Sequence, residues 1–119
     1  MLNIGGDGAG TLFTIWPDNS RICAGTDADL RIFYDGANSK IQTLEGNLVL
    51  QNLADDKDII LQSDDGSGGV ATYLTIDGSA TLVTLSQQMR FFDNIKLTAG
   101  SSGDLSMYHD GTDSYIHND

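Results

Sequence analysis

The segment DLSMYHDGTDSYIHN, residues 104–118, has an earlier counterpart in DLRIFYDGANSKI, residues 29–41. The two segments align without a gap at an offset of 75 residues, and each places Asp-Gly between two runs of alternating polarity. Asp-Gly supplies the positive φ values that a tight hairpin turn needs, and alternation is the pattern of a half-buried strand. Each segment is therefore predicted to form a β-hairpin, and the chain to contain an internal repeat.

The alignment extends backwards to DNSRICAG at residues 18–25 and DNIKLTAG at residues 93–100. Most differences between the copies keep the character of the side chain, as in Arg21 against Lys96. Each copy therefore begins with a strand that carries a cation and an apolar residue, turns at Ala-Gly and enters the hairpin. The predicted organisation is an N-terminal segment with the first strand over 1–17, then a β-repeat domain over 18–119, with copies 18–42 and 93–117 joined by 43–92.

The rest of the chain also reads as short strands between turns. β-branched and aromatic residues predict strands over 11–16, 48–52, 59–63, 70–76 and 81–85. The glycine-rich stretch 5–10 predicts a flexible segment, and residues 86–92 are the one candidate for a helical turn. The chain is therefore predicted to be all-β, with roughly ten short strands.

Composition limits the classes of partner. The chain has 17 Asp and Glu against 6 Lys and Arg, a formal net charge of −11. This charge argues against nucleic acid and anionic membranes, because phosphate groups would be repelled. No apolar run is long enough to cross a bilayer. Cys23 is the single cysteine, so an internal disulfide is excluded.

The apolar content, 39% with small residues included, is thin for a chain that must fold alone. The sequence stops at Asp119, directly after the second hairpin. We therefore expect the last strand to finish against another chain, or the sequence to be part of a longer one. Repeat units that cannot bury their own faces do so by stacking or association, and a trimer of intertwined β-segments would supply the missing surface.

The candidates for packing in such a core or trimer interface are apolar and aromatic residues at matching positions of the two copies. Phe33 and Tyr108 are included because the aligned apolar residues are expected to share their face. The set is Leu30, Ile32, Phe33, Ile41, Leu105, Met107, Tyr108 and Ile116.

The repeated hairpin, preceded by DNIKL, resembles a repeat of structural proteins in tailed bacteriophages, especially cyanophages and other marine phages. In these proteins the repeat occurs in tail fibres, tailspikes and head fibres or knobs. The resemblance covers residues 18–118, and the second copy matches best; the first departs at Tyr34 and Lys40, where the second has His109 and Tyr115. Residues 55–69 look like the unit that links such repeats.

The resemblance implies a trimeric, intertwined β-helix or β-prism in the fibre or knob of a virion. The expected function is non-enzymatic: particle surface architecture and host attachment. A homotrimer, other virion proteins and a host surface glycan are the implied partners. Alternatives are a fragment of a polysaccharide-degrading tailspike, a capsid decoration protein, or a monomeric, calcium-binding surface solenoid. The repeat is structural in this family, so no functional residue is carried over.

Two clusters could bind a cation. His109 and His117 stand eight residues apart across a hairpin, but Tyr34 and Gln42 occupy the equivalent places in the first copy. A metal site would need more ligands than these two. The second cluster is acidic and lies around a glycine-rich turn, without the spacing of a known calcium loop. It comprises Asp55, Asp56, Asp58, Asp64 and Asp65. We predict solvated turns and no cofactor.

Catalytic carboxylates are also hard to find in this sequence. Glu45 is the one glutamate, and nearly every aspartate neighbours Gly, Asn, Ser or another Asp, where turn chemistry explains it. Glycoside hydrolysis would need a pair of carboxyl groups flanking the scissile bond. The chain is therefore predicted not to be an enzyme.

Overall fold

The computed structural model describes residues 3–6 and 12–118. Within these ranges the chain is all-β, as predicted, with eleven short strands and no helix. The strands are β1 (Asn3–Gly6), β2 (Leu12–Ile15), β3 (Arg21–Ala24), β4 (Leu30–Tyr34), β5 (Ser39–Thr43), β6 (Ile59–Asp64), β7 (Val70–Asp77), β8 (Leu82–Leu85), β9 (Leu97–Ala99), β10 (Leu105–His109) and β11 (Ser114–Asn118).

The strands pair only with their neighbours in sequence, and every pair is antiparallel. β1 and β2 form a two-stranded ladder. The other strands form three meanders: the first meander is β3–β4–β5, the second is β6–β7–β8, and the third is β9–β10–β11. The chain divides into two compact units, residues 1–50 and 51–119. The predicted boundary at residue 17 concerns the sequence repeat and stays a prediction.

The first and third meanders are the two copies of the repeat, and their backbones make the same hydrogen bonds. Asn19 donates its N–H to the carbonyl of Tyr34 at 2.8 Å, and Asn94 donates to that of His109 at 2.7 Å. Both asparagines have φ of 65°. Asparagine tolerates this left-handed conformation better than most residues. The offset of 75 residues therefore relates two equivalent structures.

Each repeated hairpin closes with a four-residue loop that its aspartate organises. Asp35 Oδ1 accepts hydrogen bonds from the backbone N–H groups two and three residues later, at 2.9 and 2.7 Å. Asp110 Oδ1 accepts the equivalent pair, both at 2.8 Å. These bonds make Asx turns, in which the side chain replaces a backbone acceptor. The aspartate thus caps the loop, and only the following glycine takes positive φ, with 96° at Gly36 and 100° at Gly111.

Two sequence predictions about local structure are wrong, and the one candidate for a helical turn does not form. Residues 48–52 form no strand, because no other described segment pairs with them. Residues 86–92 form no helical turn. Gly5 and Gly6 belong to β1, where pairing with β2 overrides the low strand propensity of glycine. Of the predicted flexible stretch 5–10, residues 7–10 lie outside the described ranges.

The two hairpin glycines give a test of the turn geometry. Gly36→Ala and Gly111→Ala should each destabilise the protein by about 1–2 kcal/mol, the cost of left-handed backbone at a residue with a Cβ atom. The added Cβ at Gly111 would also lie 3.3 Å from Asp93 Oδ2. The measurement is thermal unfolding followed by circular dichroism at one fixed protein concentration.

Thr112→Ala is the matched control for these glycine changes. It introduces alanine directly beside Gly111, at the position that Ala37 occupies in the first copy. We expect its effect to stay within about 0.5 kcal/mol, as for most surface substitutions. Equal losses in the control and the glycine variants would show that positive φ is not the cause.

Candidate functional site

No apolar side chain is buried among the residues that the structure describes. The one buried side chain in this set is Ser106, with 4% of its surface exposed. Burial of apolar surface is the main favourable contribution to folding, and it must offset the conformational entropy lost by the chain. The described residues therefore form no buried apolar interior.

The exposed area of the chain leads to the same conclusion. The chain exposes 9,728 Å². Two separately folded halves of this mass would together expose roughly 7,500 Å², from the scaling of surface with mass in compact monomers. The excess remains even when the two units are counted as independent bodies, so the chain as a whole buries less surface than compact folds of this mass.

The exposed apolar side chains of the first meander form an ordered row. Ile22, Ile32 and Ile41 are direct cross-strand partners in β3, β4 and β5. Their side chains are 51%, 44% and 57% exposed. Because side chains alternate along a strand, Leu30, two residues before Ile32, lies on the same face. This face is the first apolar face.

The third meander repeats this arrangement at the offset of 75 residues. Leu97, Met107 and Ile116 are cross-strand partners in β9, β10 and β11, and they are 49%, 49% and 76% exposed. Leu105 shares their face and is 45% exposed. This face is the third apolar face. The two copies therefore preserve one apolar face in both sequence and register.

The second meander also has one apolar face, although it has a different loop pattern. Its register aligns aliphatic residues in two rows, each of which crosses all three strands. A β-bulge between Leu61 and Gln62 then shifts the pairing. Beyond the bulge every pair contains a polar residue, as in Gln62 opposite Thr72. The rows consist of Ile59, Ile76 and Val83, and of Leu61, Leu74 and Leu85.

An aromatic residue that precedes each repeated meander extends its apolar face into a groove. Trp16 and Pro17 border the groove of the first meander, and Phe91 and Phe92 occupy the equivalent places in the third. Both pairs are supplied by the segment that enters the first strand of the meander. The grooves therefore belong to the repeat itself and not to one copy of it.

The predicted packing residues do not all lie on these apolar faces. The register places Phe33 and Tyr108 on the opposite face of their meanders, not with the aligned aliphatic residues as expected. Phe33 lies between two cations: its ring centroid is 5.1 Å from Arg21 Cζ and 5.8 Å from Lys40 Nζ. These cation–π contacts, which the sequence did not reveal, explain why an aromatic residue is stable on a polar face.

The third meander has an aromatic cluster on the corresponding face. Lys96 Nζ lies 4.8 Å from the ring centroid of Tyr108, which stacks on Tyr115 at 5.0 Å. The His117 ring lies 6.1 Å from that of Tyr108. The cation at the start of the meander, Arg21 or Lys96, is thus kept between the copies, while Tyr115 replaces the second cation, Lys40.

The two histidines lie on opposite faces of the third meander. His109 lies on the third apolar face, with Nδ1 3.2 Å from Ser114 Oγ, whereas His117 belongs to the aromatic cluster. The predicted acidic cluster is also occupied by turn contacts: Asp64 and Asp65 accept backbone N–H groups of their own loop. Within the described ranges, no three His, Cys, Asp or Glu residues are placed to hold a metal ion.

One ion pair joins the Asp35 carboxylate to the Lys40 ammonium group. The hydrogen bond from Lys40, followed by those from the backbone of Asn38 and Ala37, lowers the pKa of Asp35 to about 2. Its charged form is therefore stabilised by both the side chain and the loop.

Three further carboxyl groups have lowered pKa values, each because of hydrogen bonds within its own turn. The donors are chiefly the Ser67 side chain for Asp65 and the backbone N–H of Ala80 for Asp77. For Asp110 they are the backbone N–H groups of its own loop. A general acid near neutral pH requires the opposite shift, so these groups are suited to capping turns.

The Asp35–Lys40 pair gives a test by titration. Lys40→Gln should raise the pKa of Asp35 from about 2 towards its ordinary value of 3.8 without reaching it, because the backbone donors remain. Since the folded pKa is the lower one, the stabilisation by Asp35 is present above about pH 4 and is lost as pH falls towards 2. Carboxyl carbon shifts measured by NMR against pH report both values.

Asp110 is the internal control for this titration, because it lies in the equivalent loop and has Tyr115 in place of the lysine. Its pKa should not change in the Lys40→Gln variant. If the pKa of Asp35 stayed at about 2 in this variant, the backbone donors alone would account for the shift.

Comparison with known proteins finds no matching family model, no similar curated protein and no similar solved structure. The described part of the chain contains no helix long and apolar enough to span a membrane. The proposals about function therefore rest on the exposure, register and charge of the residues on the two faces of each meander.

Proposed function

We propose that this chain is a non-enzymatic structural protein of a virion, a β-rich module of a tail fibre or knob that assembles as a homotrimer. It would contribute to the surface architecture of the particle and to host attachment. The observation that carries the proposal is the set of ordered apolar faces, one on each meander, that the described residues leave exposed.

We propose that other copies of the same chain pack against these apolar faces, for two reasons. Exposed apolar surface of this extent marks an interaction site in a soluble protein. The first and third apolar faces also have the same register and nearly the same side chains, so both can pack against another copy in the same way. Most soluble oligomers are closed and symmetric, and the phage resemblance favours three copies.

The charge distribution supports a structural role over a catalytic one. The aspartates with lowered pKa values cap turns, and the two histidines lie on opposite faces of one meander. Asx turns keep the loops short and closed, which suits a module whose strands must hold their register while other copies pack against them. The acidic surface, with a net charge of −11, would keep the assembled particle soluble.

A single substitution on the third apolar face tests the assembly. Leu105→Asp should leave the chain soluble but prevent trimer formation, because burying a carboxylate among Leu97, Met107 and Ile116 costs several kcal/mol. Light scattering after size-exclusion chromatography should give about three times the chain mass of 12.7 kDa for the unmodified protein and about one chain for the variant.

Thr112→Asp is the control, since it adds the same charge in the hairpin loop, away from the apolar rows. It should remain trimeric. A trimer that survives Leu105→Asp would remove the third apolar face from the interface, and a monomeric unmodified protein would overturn the homotrimer itself.

A further inference from the structure

The few cations of this acidic chain are unevenly distributed. Of the 6 Lys and Arg residues, three lie in the first meander: Arg21 in β3, Arg31 in β4 and Lys40 in β5. The register places Arg21 and Lys40 on either side of Phe33, and strand alternation places Arg31 on the same face as Phe33. We call the set Arg21, Arg31 and Lys40 around Phe33 the cationic face.

The two arginines of this face have no carboxylate partner within the described ranges. The one ion pair there is that of Lys40 with Asp35. Arg31 donates Nε–H to the carbonyl of Ala28 at 2.9 Å, and Arg21 contacts the Phe33 ring. Since the chain has 17 acidic residues against 6 basic ones, neighbouring arginines without an acidic partner are unexpected on charge balance alone.

The fold of the repeat does not require this combination of cations. In the third meander the positions equivalent to Arg21, Arg31 and Lys40 carry Lys96, Ser106 and Tyr115. That meander makes the same hairpin and the same backbone hydrogen bonds. The two copies therefore share their apolar face and differ in the opposite one, which indicates that the opposite faces have separate roles.

We propose that the cationic face binds an acidic polysaccharide through the carboxylates of its sugars. The planar guanidinium group presents a fork of N–H donors that matches a carboxylate in two hydrogen bonds. Arg21 and Arg31 are diagonal neighbours across β3 and β4, a relation that places Cα atoms about 7–8 Å apart. Gln42 lies on the same face, opposite Arg31, and its exposed amide can bond to sugar hydroxyls.

The overall charge of the chain favours a polymer that is less densely charged than duplex nucleic acid. Duplex nucleic acid carries a charge about every 1.7 Å, so it would meet the repulsion of a chain with a net charge of −11. The carboxylates of a glycan can still be attracted by the nearby arginines, because the acidic residues of the chain that lie beyond about 8 Å are largely screened at physiological salt. The inference rests on the proposed function for the choice of a glycan as partner; the location of the site rests on the cations themselves.

The experiment measures binding of polygalacturonate, with neutral dextran as the uncharged probe, to the full chain by isothermal titration calorimetry. We expect binding of polygalacturonate and none of dextran. The double change Arg21→Gln with Arg31→Ser should weaken binding at least about tenfold, because it removes two charge-assisted contacts. Ser is the residue that the third meander carries at the position of Arg31, so the hairpin is compatible with it.

The matched control is Lys57→Gln with Lys96→Gln, which removes the same charge outside the cationic face. It should keep the affinity within about threefold. Equal weakening in both double variants would mean that affinity follows net charge, and would overturn the proposal. Tighter binding of polyphosphate than of polygalacturonate would also overturn it.

Circular dichroism and light scattering separate this inference from the proposed function. A trimer that does not bind polygalacturonate would remove the inference and leave the structural role intact. Where the double variant loses its β spectrum, Arg21→Lys replaces it as the test, since it keeps the charge and the contact with Phe33. This variant should still lose affinity because the fork is gone, and unchanged affinity would count against carboxylate recognition.

Discussion

The structure depends on one constraint: each meander has an apolar face, and no second layer among the described residues covers it. A stable domain is normally built from at least two packed layers, because a single sheet cannot remove its apolar side from water. Here the rows of Ile22, Ile32 and Ile41, and of Leu97, Met107 and Ile116, remain about half exposed or more. In the proposed homotrimer, other copies of the chain supply the second layer.

The internal repeat separates what this fold needs from what it leaves free. Both copies keep the asparagine at φ of 65°, the Asp-Gly loop with its Asx bonds, and the aliphatic row. They differ on the other face, where Arg31 and Lys40 of the first copy correspond to Ser106 and Tyr115 of the second, and Tyr115 stacks on Tyr108. A cation beside the central ring is common to both, and its contact with the aromatic face stabilises a side chain that the sheet leaves half-buried.

The hairpins and their register could be predicted from sequence because turn chemistry and alternation are local. Asp35 and Gly36 point to the loop, and the spacing of Ile32 and Ile41 fixes which residues share a face. The strand predicted over residues 48–52 fails for the opposite reason: its apolar residues meet no neighbouring strand, and propensity without pairing does not make a sheet.

The candidate site was only partly predictable, because a face is a property of the whole sheet. The aliphatic packing residues were found from their repeated positions, whereas Phe33 and Tyr108 were assigned to the wrong side. Strict alternation from Ile32 and Met107 would have placed them correctly. The groove beside Trp16 follows only from the path of the chain into β3, on which the local pattern carries no information.

The exposed faces leave one further requirement, which the edge strands of the first meander meet. Each meander ends in open strands whose unpaired backbone groups could join other copies edge to edge without limit. Arg21 and Lys40 lie on the two edge strands of the first meander, and Lys96 immediately precedes the edge strand β9. Charged side chains, lysine above all, disfavour such growth because pairing would bring like charges together. The same cations that stabilise the central ring thus also disfavour edge-to-edge pairing of these strands, which agrees with the closed assembly that we propose.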